Sequence, residues 1–192
     1  MTVMAPIQHR YEQLAALLEY PTEETAAVAA GCREHLRVVC PPAAPLLDGL
    51  HAYLGENPLT TAEERYTHTF ELKPVCALDI GYHVFGEDCQ RGAFLALLRE
   101  RQERAGLTGE VELPDYLPVV LRWLALVEGT EEYRDMIQEC VLPSLAKMDE
   151  SLADTDNPYR DVLRAVAAVL AQDLRSEVEG SEAGAEGSSW SG

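Results

Sequence analysis

The sequence predicts an all-α protein, a single-domain bundle of about eight or nine helices. Apolar residues recur at helical spacing along most of the 192 residues. Strand-like alternation never runs far enough to compete, and no internal repeat emerges. Hydrophobic residues make up 47% and charged residues 25%, a globular balance in a chain long enough to bury one core.

Ile7, Tyr11, Leu14, Ala15 and Leu18 mark one face of a first helix, which Pro21 follows. Thr22 is placed to cap a second helix, with Glu23 and Glu24 in its first turn and Pro41-Pro42 at its end. A short helix runs from Pro45 to about Leu54. Thr60 and Glu63 form a capping-box pattern for a helix carrying Tyr66 and Phe70. After a broken stretch from Lys73 to Gly86, Asp88 fits as the N-cap of a long helix through Phe94, Leu97 and Leu98, closed by Gly106.

Pro114 suits the first turn of the next helix. Leu117, Val120, Leu121 and Leu124 form one apolar face of it, and Val119, Trp123 and Leu126 another, so it belongs at the bundle centre. A helix from Glu131 to about Ala153 should bend at Pro143, whose ring clashes with the preceding turn. Asn157-Pro158 opens the last helix, through Val162, Leu163, Val166, Leu170 and Leu174. The helical domain thus spans residues 1–176. Residues 177–192, acidic and rich in Gly and Ser, read as a disordered tail in which Trp190 is incidental.

Fifteen basic residues against thirty-three acidic ones leave a net charge of -18. Such a field repels phosphate backbones, so nucleic acid is a poor partner. It suits a protein that stays soluble while carrying a sticky surface, although solubility alone would explain it. The opening residues MTVMAPIQHR lack the basic and apolar regions of an export signal. No apolar run approaches the ~20 residues that span a bilayer. The five cysteines are odd in number and scattered, so reduced, buried thiols in a cytoplasmic protein are expected.

Enzyme signatures are absent where they would be plain: no phosphate-binding loop, no dinucleotide fingerprint, no nucleophile elbow, no H-E-x-x-H. No catalytic residue is therefore assigned. Cys76, His83 and Cys89 are the best candidate metal ligands, but their spacing matches no structural zinc pattern, and neither metal nor cofactor is expected.

Two clusters are more informative. In ELKPVCALDIGYHVFGEDCQR, Glu71 to Arg91, Asp79 and His83 lie one helical turn apart, so the carboxylate can orient the imidazole. Tyr82 and Phe85 suit peptide docking, Gly86 permits a tight exit, and Glu87, Asp88 and Arg91 place charges at the next helix start. A helix–turn–helix with a capping Asp and a core His explains the same residues more plainly. In Glu112-Leu113-Pro114-Asp115-Tyr116-Leu117-Pro118, Pro114 fixes a helix entry and Asp115 favours the macrodipole, while Pro118 removes a donor. Capping accounts for Asp115, but not for both prolines, the Tyr and the Asp together.

Tyr66 with Phe70, then Y-H-x-F-G-E-D-x-x-R-G from Tyr82, then E-L-P-D-Y-L-P from Glu112, resemble the redox-enzyme maturation chaperones of the NarJ/TorD type, including the nitrate reductase delta subunit. The resemblance covers Ile7 to Leu174, and its specific part is Tyr66 to Trp123. It implies a TorD-like/NarJ-like bundle, not an enzyme, that binds the N-terminal segment of a molybdopterin oxidoreductase catalytic subunit of the DMSO reductase family. That segment is a twin-arginine signal or its remnant. The chaperone would hold the apoenzyme until the bis-molybdopterin guanine dinucleotide cofactor is inserted, before membrane attachment or export. Carried onto this chain, the partner-binding residues are Tyr82, His83, Phe85, Gly86, Glu87, Asp88 and Arg91, with Leu113, Pro114, Asp115, Tyr116 and Pro118 from the second motif.

Between Lys73 and Gly81 the chain departs from nitrate-reductase chaperones toward relatives serving selenate, chlorate, dimethyl-sulfide or hydrocarbon-oxidising enzymes. An acidic groove with aromatic walls would take an amphipathic peptide helix, its arginines meeting Glu or Asp. Two other readings stay open: a permanent structural subunit of the redox complex, and a small acid/base enzyme using His83, Asp79 and Asp115.

Overall fold

The computed structural model describes residues 6–72, 76–109 and 111–186, with side chains described from 7 to 177 of these. Among the described residues every regular element is a helix, as the apolar periodicity requires. The order is α1 (Pro6–Leu17), α2 (Thr25–Val39), a 3-10 turn at Ala44–Leu47, α3 (Asp48–Glu56) and α4 (Leu59–Tyr66), which runs into a π segment at Thr67–Glu71. Then follow α5 (Ile80–Phe85), α6 (Cys89–Arg104) and α7 (Leu117–Leu124). Last, α8 (Glu131–Asp135) continues through a π segment at Met136–Val141 into α9 (Leu142–Ser151), and α10 (Pro158–Glu186) closes the chain.

The bundle is built around α7. Its side chains are buried except for Arg122, as expected of a helix with two apolar faces. Each large apolar side chain so buried contributes roughly 1.5–3 kcal/mol. Arg122 leaves the core to grip α1, donating to Glu12 at 2.9 Å and to Glu19 at 2.7 Å. Leu126 lies beyond the helix end and is exposed, so the second apolar face stops at Trp123. Across the bundle α10 is tied to α1: the buried Asp173 accepts from Arg10 at 2.6 Å and from the Tyr11 hydroxyl at 2.7 Å.

Several termini follow from local chemistry. Asp88 caps α6 by accepting from the Gln90 N–H at 2.9 Å, and Gly106 follows the helix end. Asn157 accepts from the Tyr159 N–H at 3.1 Å and opens α10. Others differ from expectation. Thr22 shapes the turn ahead of α2, its hydroxyl accepting from Glu24 N–H, and does not cap the helix. Thr60 and Glu63 lie inside α4, because Pro58, with φ -65, already stands at its N-terminus.

Pro114 precedes α7 instead of entering it. Pro118 sits in the first turn, where its missing N–H costs no helical hydrogen bond. At Pro143 the helix widens into the π segment that ends just before Leu142, where the ring would meet a preceding carbonyl.

α10 continues through Glu186, past the position where the acidic tail is expected to begin. Glu and Ala favour propagation of a helix already nucleated by packing. Trp190 lies outside the described residues. Cys32, Cys40 and Cys76 are buried, Cys140 is half-buried, and no disulfide joins any of the cysteines. Cys89 departs from the expected burial, because the first turn of α6 faces solvent. Among the described residues no helix is long and apolar enough to cross a membrane.

Candidate functional site

The two sequence clusters meet. Just before α5 and α7 the chain pairs briefly in antiparallel fashion: Ile80 N–H donates to Asp115 O at 2.9 Å, and Leu117 N–H to Leu78 O at 2.8 Å. The Asp115 carboxylate then accepts from Gly81 N–H at 3.1 Å and from Arg91 at 3.0 and 3.2 Å. It is fully buried, and burial raises its pKa against the pull of Arg91. A Cβ built on Gly81 would stand 2.7 Å from Asp115 Oδ2 and 3.1 Å from the Phe94 ring, so only glycine admits this approach.

Beside this junction opens a cleft of about 730 Å³. Its acidic lining is Glu19, Glu71, Asp79, Glu87 and Glu112, and its aromatic lining is Tyr20, Tyr66, Phe70, Tyr82 and Tyr116. Among the described residues that line it there is no Lys or Arg. The floor is rigid. Tyr66 packs edge-on against Phe70 at 5.1 Å and Tyr20 at 5.5 Å. Its hydroxyl and that of Tyr116 lie 2.9 Å apart and converge on the Leu18 carbonyl at the end of α1. Burial pushes the Tyr116 phenol up to about 12, so it remains a donor at neutral pH.

The anticipated residues divide by position. Tyr82, Glu87 and Tyr116 line the acidic cleft; Tyr82, His83, Phe85 and Gly86 line a second one beside α9. Pro114, Asp115 and Pro118 are buried, and hold the wall instead of presenting it. Asp88 is occupied as a helix cap, Leu113 is exposed outside both linings, and Arg91 bridges Asp115 and Asp79, the latter at 3.7 Å. Glu19 and Tyr20 come from the end of α1, with no motif to mark them, while Glu71 and Glu112 open the two clusters without being marked as lining residues.

His83 is held differently from expectation. Its Nε2 donates to the Ala77 carbonyl at 2.7 Å, so Ala77, and not Asp79, orients the imidazole. Burial lowers its pKa, so the neutral donor form is favoured. The acid/base trio is not assembled: Asp115 is sealed, Asp79 faces the acidic cleft and His83 the other. Among the described residues no three His, Cys, Asp or Glu side chains are grouped to hold a metal ion.

A family model described as nitrate reductase delta subunit matches residues 39–176. The chain belongs to this family. Membership bears out the NarJ/TorD-type resemblance carried by Tyr66 to Trp123. Over 119 residues the chain is 32% identical to NarJ of Bacillus subtilis (strain 168), named a nitrate reductase molybdenum cofactor assembly chaperone. That match covers 61% of this chain and 64% of NarJ, so it spans less than two thirds of the relative. With NarW of Escherichia coli (strain K12), which bears the same description, identity is 26% over 165 residues, covering 85% of this chain and 69% of NarW. With the nitrate reductase-like protein NarX of Mycobacterium tuberculosis it is 30% over 153 residues, 79% of this chain but 23% of NarX.

These members carry nitrate-reductase names, unlike the relatives suggested by the stretch from Lys73 to Gly81, of which residues 73–75 lie outside the described residues. The crystal structure of a redox enzyme maturation protein from Archaeoglobus fulgidus superposes with a TM-score of 0.60 at 17% identity, covering 89% of this chain and 97% of that one. That likeness shows the fold alone.

Proposed function

We propose that this protein is an assembly chaperone for a molybdenum-containing nitrate reductase. In this reading it binds the cationic N-terminal segment of the catalytic subunit in the acidic cleft while the cofactor is inserted. The client is a DMSO-reductase-family enzyme with a bis-molybdopterin guanine dinucleotide cofactor, and the chaperone itself carries none. Acting before membrane attachment or export, it works in the cytoplasm.

The observation that carries this reading is the cleft lining, five carboxylates and five aromatic rings with no cation among its described residues. Arginines of a guest would meet carboxylates in charge-assisted hydrogen bonds and lie across tyrosine faces. The carboxylates are not equivalent. Glu19 is already held by Arg122 and Asp79 faces Arg91, whereas Glu71, Glu87 and Glu112 make no ion pair among the described residues. These three are the groups open to a guest cation. A peptide helix would set its apolar side on Tyr20, Tyr66 and Phe70.

The family description also names a subunit, which keeps a permanent structural role in view. Tagged protein purified from its native cells separates the two. A chaperone brings down apoenzyme and is missing from the mature, cofactor-loaded enzyme; a structural subunit stays with the mature enzyme in equal amount.

A further inference from the structure

Helices α1 and α2 pack against each other, and their facing turns bring together side chains outside the lining of both clefts. His9 and Gln13 stand one turn apart on α1, and both meet His35 of α2. The ring centres of His9 and His35 are 5.0 Å apart, with their planes tilted by 39°.

This spacing suits two imidazoles that share one ion. With Zn–N bonds of ~2.0–2.1 Å and tetrahedral angles, two such rings stand with their centres roughly 5 Å apart. The His35 ring is already set for the role. Its Nδ1–H donates to Gln13 Oε1 at 2.9 Å, which leaves the lone pair on Nε2, the arrangement that metal-ligating histidines adopt. Burial, with help from His9 and Arg10, lowers the His35 pKa, so the ring is neutral at pH 7. His9 is exposed, and its ring makes no hydrogen bond among the described residues.

The surrounding charges leave room for a cation. Arg10 is neutralised by Asp173 at 2.6 Å, and Arg33 and Arg37 both pair with Glu34. The net charge of -18 draws cations to the surface as a whole. Among the described residues no third His, Cys, Asp or Glu joins the pair, so the remaining coordination positions stay open.

We propose that His9 and His35 form a surface site for a divalent transition cation of the zinc or nickel type. Imidazole nitrogens select such ions over Mg²⁺ and Ca²⁺, which take oxygen ligands. A bound ion cross-links α1 to α2 and stabilises the folded state by mass action. The site is independent of the acidic cleft and of any guest in it.

The test titrates Zn²⁺ into the full-length protein after chelator treatment, in a Cys89→Ser background because Cys89 is the exposed thiol. A single equivalent should bind, shift the imidazole NMR signals of His9 and His35, and raise Tm; Mg²⁺ should do none of these. His9→Ala and His35→Ala should each weaken binding at least about tenfold. Gln13→Leu should weaken it by about tenfold through loss of the tautomer lock, and Gln13→Glu, which keeps an acceptor, should restore it. Circular dichroism checks each fold, and His9→Ala, at an exposed position, carries the test if another variant unfolds.

No binding, or binding unchanged in the histidine variants, overturns the site. Zn²⁺ that shifts the signals of His51, His68 or His83 in place of these two also overturns it, by assigning the ion elsewhere. Gln13→Leu binding as tightly as the parent contradicts the tautomer lock on which the His35 geometry rests.

Discussion

Arg91, in the first turn of α6, places Nη2 3.0 Å from Oδ2 of the fully buried Asp115 just ahead of α7. This pair, with the Gly81 N–H on the same oxygen, fastens the first motif to the second. Removing Asp115 strips the buried Gly81 N–H of its acceptor and leaves Arg91 only the more distant Asp79, at 3.7 Å. Asp115→Ala should cost ~3–5 kcal/mol in urea unfolding, and any loss of guest binding should follow the loss of fold. A stable Asp115→Ala that fails to bind would instead make Asp115 a contact residue.

Gly81→Ala probes the same junction sterically. The new methyl would sit 2.7 Å from Asp115 Oδ2, which cannot retreat without giving up Arg91. A loss of ~1–3 kcal/mol is expected from such overpacking. Unchanged unfolding would show that α5 shifts freely.

The sequence made the helices legible wherever the signal was local. The Asp88 cap, the Asn157-Pro158 start and the buried faces of α7 needed only neighbouring residues. The π segment at Thr67–Glu71 has no such signature, whereas the one at Met136–Val141 is marked by Pro143 just beyond it. Asp115 was visible as a motif residue, but its partner Arg91 lies in another element and its burial depends on Gly81 and Phe94. The acidic lining draws on Glu19, Glu71 and Glu112, which only the fold brings together.

Trp123 is fully buried in the central helix, and among the described residues its Nε1 has no hydrogen-bond partner. Trp123→Ala should cost ~3–5 kcal/mol through the cavity left behind. Trp123→Phe should cost less, because it also removes the unmatched donor. Equal losses for the two would show that ring volume does not govern this site.

His83 gives the fold a pH dependence. Burial holds its pKa below the ordinary 6.5; Lys147 and Arg91 push the same way, while the Ala77 carbonyl and Asp79 oppose. Its contribution is therefore full above 6.5 and is lost as pH falls through that value toward the lowered folded pKa, because the unfolded chain takes the proton first. His83→Gln keeps a donor for Ala77 O but does not titrate. Between about pH 7 and about pH 5 the parent should lose more Tm than this variant. Parallel curves would remove His83 as the cause.

Whether the acidic cleft holds a cationic guest is tested by salt-dependent calorimetric titration, with the N-terminal peptide of the nitrate reductase catalytic subunit added to the folded protein. The comparison is between the parent and a triple variant, Glu71→Gln, Glu87→Gln and Glu112→Gln, whose positions are exposed and whose fold should be intact. The parent should bind with a Kd of about 1 μM or tighter, weakening as salt screens the arginine–carboxylate pairs. The variant should bind at least about tenfold more weakly, with a flatter salt dependence. No binding by the parent, or equal affinity and an equal salt slope in the variant, would contradict the account.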